Sequence, residues 1–433
     1  MSSQPGWPGG FDPSSLGEVF GQLQRIFSAG ESEGPVNWQL ARETALETLE
    51  ATEPGAGAGT VTRGPRIGFG SEQAGGGAAA TLTPAEAEGV AGAARVADTW
   101  LDEVTAFPAI ETPIQAWTPR QWIDKTLPTW RNLVTPVAAR MAEAMGAAVN
   151  PGGQLPPGLP PEAASMLAGA GPMLQRLGGG LLGIQLGQAI GALAKEVTGP
   201  FDVGYPLAGA TAALLPRAVA AGATDAGLPP EEARLFAALR ELAHARLFSA
   251  AAWLAPTLLS GIEAYAAGIQ VDPERLRDLA AQVDPADPAR LSELMSSGVL
   301  EPPSSPAQQA AIARLELLLA LVEGWVETVT GAAARAHLPH TDSLLEWQRR
   351  RRAVGGPAER TFGALVGLEL RPRRMREAAA WWAAADPVER DKAWAHPDLL
   401  PEDFTAAEPP DESSAARDAD VDEELRRMLD GDQ

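Results

Sequence analysis

Among the residues able to do chemistry, one stretch stands out by its spacing: Arg240-Glu241-Leu242-Ala243-His244, inside the segment RELAHARLF. With an imidazole in place of Arg240 it would read H-E-x-x-H. In that helix motif two histidines four residues apart bind one zinc, and the glutamate activates a metal-bound water. Here the same spacing sets Arg240 and His244 one above the other on a helix face, with Glu241 beside them. An ordinary helix can carry the same residues, with His244 and Glu241 making only core or surface hydrogen bonds.

A metal site of this kind needs a third ligand from a later segment. Glu263 lies nineteen residues after His244, a spacing at which zinc peptidases with a glutamate ligand supply it. Tyr265, two positions further on, could donate to a developing oxyanion or simply pack its ring. Arg240 is the obstacle. A guanidinium stays protonated and has no lone pair for a metal. A unit positive charge about 4 Å from a divalent ion, at an effective dielectric of ~20, repels it by roughly 8 kcal/mol. The expectation is that Arg240 is itself the cation, lying between Glu241 and Glu263 and neutralising an acidic pocket without metal. On the ordinary-helix reading, Glu263 instead pairs with a local base.

The remaining chemical groups are less pointed. His337 and His340 flank Pro339 and read as a loop or helix start, and His396 precedes a proline and reads as a turn. Arg349, Arg350, Arg351, Arg352, Arg360, Arg371, Arg373, Arg374 and Arg376 form a basic segment near Trp347, Trp381 and Trp382. It could face phosphate. The net charge of −22 opposes nucleic acid, so the segment is expected to pair with the chain's own carboxylates. There is no cysteine, which excludes disulfides and thiolate chemistry and fits a reducing cytoplasm. No G-x-S-x-G or P-loop is present.

The elements that must position these groups read as helices. Alanine is abundant and β-branched residues are thin in most segments. Residues 1–82 are expected to be a flexible region. It holds an amphipathic helix over DPSSLGEVFGQLQRIFS, a second helix over NWQLARETALETLEA, and a Gly/Ala-rich linker. Residues 83–405 are the main domain. Thr83 and Thr118 each open a helix with capping grammar, the second helix breaking at Pro128 and Pro136. Gly179, Gly183, Gly187 and Gly191 line one face of a further helix, either for membrane pairing or for close packing inside the protein. That stretch is too short and too interrupted by glutamines to be a comfortable membrane span. The N-terminus lacks the pattern of a secretory signal. Residues 364–370 are the best strand candidate, and residues 406–433 form an acidic tail expected to be disordered.

In combination, several segments resemble the bacterial zincin-like metallopeptidase family, named for hydrolases and zinc-dependent metalloproteases, with a sister branch named for deazaflavin-cofactor biosynthesis. They are ALRELAHARLF, IEAYAAGIQVD, TLPTWRNLVTPVAARMAEAMG, LGIQLGQAIGALAKEVTGPFDVGYPL and the run from RRRRAVGGPAERTFGALVGLELRPRRMREAAAWW to AWAHPDLLP. The resemblance spans residues 83–405. It implies a mainly α, zincin-like helical core with at most a small β element. It also implies zinc held by His244 and Glu263, Glu241 as general base, and hydrolysis of an amide or peptide bond. Arg240 departs from the pattern at a metal ligand. The degenerate motif leaves two expectations: a hydrolase with an altered site, or a pseudoenzyme that binds a peptide or protein partner through the old groove or the Trp/Arg-rich C-terminal part.

Overall fold

The computed structural model describes residues 34–51, 81–149, 161–268, 305–353 and 372–404. The expected amphipathic helix near the N-terminus, the Gly/Ala-rich linker, the strand at 364–370, Arg360, Arg371 and the acidic tail lie outside them. The described chain is mainly α. In order it forms α1 (Trp38–Glu50), α2 (Pro84–Asp102), β1 (Gln115–Ala116), α3 (Pro119–Val149), α4 (Pro161–Glu196), β2 (Ala213–Leu214), α5 (Pro216–Asp225) and α6 (Pro230–Ala250). There follow α7 (Leu254–Ala267), α8 (Pro306–Arg335), α9 (Thr341–Ala353), α10 (Pro372–Ala384) and α11 (Pro387–Lys392). β1 and β2 pair in parallel, Gln115 with Ala213 and Ala116 with Leu214. The β content is therefore as small as the helix-forming composition requires.

The helix starts follow capping chemistry. Thr83 Oγ1 accepts from the Glu86 backbone at 3.2 Å while Glu86 accepts from the Thr83 backbone at 2.7 Å. Thr118 and Gln121 repeat the exchange at 3.1 and 2.9 Å. One expectation is corrected: α3 runs through Pro128 and Pro136 without ending. Each proline costs about 3 kcal/mol. Trp122, Ile123, Trp130, Leu133, Val134 and Val137 are all buried along this helix. At about 1.5–3 kcal/mol per buried large side chain, that burial outweighs both prolines.

The glycine-lined helix packs inside the protein. A Cβ on Gly183 would lie 2.5 Å from the Asn37 carbonyl, and one on Gly191 would lie 2.5 Å from the Ala45 carbonyl. One on Gly187 would strike the Ala41 carbonyl and lie 2.6 Å from Thr44 Cβ. α1 therefore sits directly on the α4 backbone, fastened at its start by the Asn37 N–H donating to the Gly179 carbonyl at 2.9 Å. α1 belongs to the segment expected to be flexible, yet Trp38, Ala41, Ala45 and Leu49 join the main core. By length and composition alone α8 and the Arg176–Glu196 part of α4 could cross a membrane. Within this fold 83% and 56% of their apolar windows are buried against the rest of the chain.

α6 runs through the centre, packed on α2, α5 and α8. From Phe236 to Phe248 every residue is buried. A helix apolar on all sides is the usual occupant of such a place. This one carries Arg240, Glu241, His244 and Arg246, so each charge needs a partner nearby. Arg246 shows how. It is fully buried, donating to Asp102 Oδ1 at 2.7 Å, Asp98 Oδ1 at 2.8 Å and the Phe107 carbonyl at 3.0 Å, which ties α6 to α2.

Candidate functional site

Arg240, Glu241 and His244 face a chamber closed by α8, by α9 and by the loop between α4 and β2. From the loop come Thr198, Gly199, Phe201 and Asp202. α8 brings Glu323, and α9 brings Arg351 and Arg352. The space among Thr198, Asp202, Phe236, Arg240, Glu241 and His244 holds about one water.

Glu323 is the hub. Arg240 Nη2 donates to its Oε2 at 2.9 Å, and Arg352 Nη1 pairs with the same oxygen at 2.6 Å. His244 Nε2 meets Oε1 at 3.1 Å. His244 Nδ1 donates to the Arg240 carbonyl at 2.8 Å, and the imidazole stacks on Phe201 with centroids 5.5 Å apart. Arg240, His244 and Glu323 are 6%, 2% and 5% exposed, so these contacts act with little screening by water. Burial alone would raise the Glu323 carboxyl. The charges of Arg352, His244 and Arg240 outweigh it and hold the group far below its ordinary range. Burial lowers the Arg240 pKa, and Glu323 opposes that shift. Gly204, beside Glu323, has φ +76°, and a Cβ there would lie 3.1 Å from Glu323 Oε1. Glycine serves both the turn and the close approach.

Glu241 is in a different state. Backbone N–H groups of Phe201 and Ala213 reach its carboxyl, while Oε2 is buried without a hydrogen-bond partner. Burial first, then the negative charge of Asp202, pushes its pKa well above the usual carboxylate range. The carboxyl lies against the Gly199 backbone so closely that a Cβ there would overlap it. Asp202 is fixed in the opposite sense. Its Oδ2 accepts from Thr198 N at 2.5 Å, Thr198 Oγ1 at 2.8 Å and Arg351 Nη2 at 3.2 Å. Burial would raise this carboxyl too, but Arg351, Thr198 and Arg352 bring it below its ordinary value.

The sequence-derived site is thus assembled in part. Arg240, Glu241 and His244 come together on α6. Glu263 does not join them: it is exposed on α7. The carboxylate that takes up Arg240 is Glu323, so the expected placement of Arg240 between Glu241 and Glu263 is corrected. Tyr265, also on α7, packs partly buried against the core and does not line the chamber. His337 and His340 lie in the turn between α8 and α9, with His340 Nδ1 2.9 Å from Glu232 Oε1. His396 lies in the turn before a short 3₁₀ helix.

The first four arginines of the basic segment, Arg349 to Arg352, are paired within the chain. Arg349 bonds Glu327 at 2.5 Å and Arg350 bonds Glu346 at 2.8 Å. Arg351 reaches the Glu196 carbonyl at 2.6 Å as well as Asp202, and Arg352 reaches the Asp202 carbonyl at 3.0 Å. Glu323, Arg352 and Asp202 are the residues that spacing rules missed. Glu323 did leave a signal, as the only charge in LLLALVEGWV, Leu317–Val326. A charge in so apolar a helix segment must be buried and paired.

The donors present do not fit a zinc ion. His244 Nε2 and Glu323 Oε1 face each other, and Glu323 Oε2 is taken by two guanidiniums. Among the described residues no three His, Asp or Glu side chains converge as a metal set.

Comparison with known proteins agrees with this architecture. A crystal structure from Chloroflexus aurantiacus, named as a putative hydrolase with a novel fold, superposes with a TM-score of 0.50 at 18% identity, over 84% of this chain and 93% of that one. At that identity the likeness is one of fold. No curated protein matches the chain. The sequence profile of the zincin-like metallopeptidases matches residues 68–410. The chain belongs to the zincin-like metallopeptidase family.

Proposed function

We propose that this protein is a cytoplasmic, non-catalytic member of its family, a pseudoenzyme that keeps the zincin-like core and has lost the metal centre. The observation that carries the reading is the hub at Glu323, where Arg240 bonds at 2.9 Å and Arg352 at 2.6 Å. Two permanent cations sit on the carboxylate that faces His244, and the only imidazole on that helix face is itself bonded there. Glu241 supports the same reading. A general base must be ionised, and this carboxyl is held toward its neutral form by burial and by Asp202. A degenerate R-E-x-x-H motif then serves stability rather than hydrolysis, and the protein's role is to bind a peptide or protein partner.

The test is hydrolysis of a mixed peptide pool by the purified protein, with added zinc and with chelator, beside its Glu241→Gln variant. The reading predicts no chelator-sensitive cleavage above the variant's background. Cleavage that zinc restores and Glu241→Gln abolishes would establish an active hydrolase instead.

A further inference from the structure

We infer that the last turn of α9, residues 349–352, occupies the partner's place: Asp202 and Glu323 head two guanidinium sockets that take a peptide segment bearing adjacent arginines, and the turn swings out as the segment enters. The inference rests on the partner-binding reading above and deepens it by naming the surface and the chemistry of the partner.

Three observations carry it. First, each socket sets a carboxylate beside a backbone carbonyl, an acceptor pair that suits a forked guanidinium better than the point charge of a lysine. In one, Arg351 Nη2 donates to the Glu196 carbonyl at 2.6 Å and to Asp202 Oδ2 at 3.2 Å, and the guanidinium lies over the Trp347 ring, 5.3 Å from its centroid. In the other, Arg352 Nη1 pairs with Glu323 Oε2 at 2.6 Å, and Nη2 donates to the Asp202 carbonyl at 3.0 Å.

Second, the sockets have supports outside the turn. Thr198 N and Oγ1 donate to Asp202 Oδ2 at 2.5 and 2.8 Å. Arg240 and His244 hold Glu323 at 2.9 and 3.1 Å. Trp347 is seated on α5, where a Cβ on Gly222 would lie 3.0 Å from its indole. When Arg351 and Arg352 leave, both carboxylates therefore keep a partner, and neither is stranded as a bare buried charge.

Third, the turn buries no apolar side chain. The buried apolar side chains of α9 among the described residues are Leu344, Leu345 and Trp347, all before it. Arg349 and Arg350 are exposed, and the side chains of Arg351 and Arg352 are 25% and 15% exposed. Release forfeits no buried apolar side chain, and incoming guanidiniums restore the two ion pairs. The net charge of −22 draws a cationic segment toward the protein.

The experiment exposes the unaltered protein to the peptide QRRRRA, a copy of residues 348–353, and to QKKKKA, which has the same charge. Calorimetry gives the affinities, and hydrogen exchange read by mass spectrometry follows α9. The turn competes as a tethered ligand at an effective concentration on the order of mM, so peptide is carried to about 1 mM. The expected result is binding of the arginine peptide about tenfold tighter than the lysine peptide, because only guanidinium fills the fork. Exchange over residues 349–353 should quicken with the arginine peptide alone, while α6 and α8 stay protected. Asp202→Asn should erase the preference for arginine.

Equal affinity for the two peptides would reduce the effect to attraction by an acidic chain and overturn the inference. So would the absence of arginine-peptide binding, or binding that leaves exchange in the turn unchanged. Should Asp202→Asn not fold, the two peptides on the unaltered protein decide the matter. Failure of the arginine peptide leaves the non-catalytic reading standing and moves the partner to another face. Chelator-sensitive cleavage would overturn that reading and leave the sockets to be judged by the peptides.

Discussion

Glu323→Gln is the most informative single change. The amide keeps the shape and removes the charge on which Arg240, Arg352 and His244 converge. Two guanidiniums then face a neutral group in a site where Glu323 is 5% and Arg240 6% exposed. Breaking a buried ion pair by removing one partner costs about 3–5 kcal/mol. For a chain of 433 residues, whose unfolding entropy is about 2.1 cal/mol/K per residue, that is roughly 1 °C of melting temperature per kcal/mol, or ~3–5 °C.

The pH dependence has a definite sign. The folded Glu323 carboxyl titrates below its ordinary 4.5, so its contribution is fully present above that pH and is lost as the solution is acidified below it. The gap between the unaltered chain and the variant should therefore be widest at neutral pH and narrow in acid. Urea unfolding at a series of pH values between 3 and 8 measures both. A variant within about 1 kcal/mol of the unaltered protein at pH 7, or a gap that widens in acid, would refute the claim that this carboxylate organises the centre. Glu263→Gln is the control. As an exposed change it should stay within about 0.5 kcal/mol.

Other consequences can be measured in the same way. Glu241→Gln should stabilise the protein at neutral pH. Its folded carboxyl is raised above 4.5, so its contribution is whole below that value and falls as pH rises, and the variant's advantage should vanish near pH 4 in unfolding curves. A variant less stable than the parent at pH 7 would show that ionised Glu241 is held by partners stronger than Phe201 and Ala213. Gly187→Ala should cost about 1–3 kcal/mol by forcing α1 off α4, seen as a lower melting temperature and faster proteolysis within residues 34–51. No loss there would mean that the two helices have slack the structure does not show.

How far the sequence revealed this arrangement depended on the range of the interactions. Local chemistry was readable. The capping pairs Thr83–Glu86 and Thr118–Gln121 announced two helix starts, and the four-residue spacing of Arg240 and His244 placed both on one face. The glycines at 183, 187 and 191 told of a close approach, although not that α1 was the neighbour. What the sequence concealed was tertiary. Pro128 and Pro136 looked like breaks because the burial of Trp122, Trp130 and Leu133 that carries α3 through them is not a local property. Glu263 drew attention through its separation from His244, yet separation along the chain says nothing about which face of α7 turns inward. Glu323, 79 residues beyond His244, came to the centre because α8 packs on α6. Arg351 and Arg352 were expected to pair with the chain's own carboxylates, but which ones was concealed for the same reason. Only the packing of α9 beside the α4–β2 loop gives them Asp202 and Glu323 as partners.

The central claim is that Arg240 fills the place a metal would need, and metal content tests it most directly. The unaltered protein, purified without added zinc and then dialysed against a slight molar excess of it, should carry far less than one zinc per chain by elemental analysis, and His244→Ala should not change that value. Near-stoichiometric zinc that disappears in His244→Ala would contradict the claim.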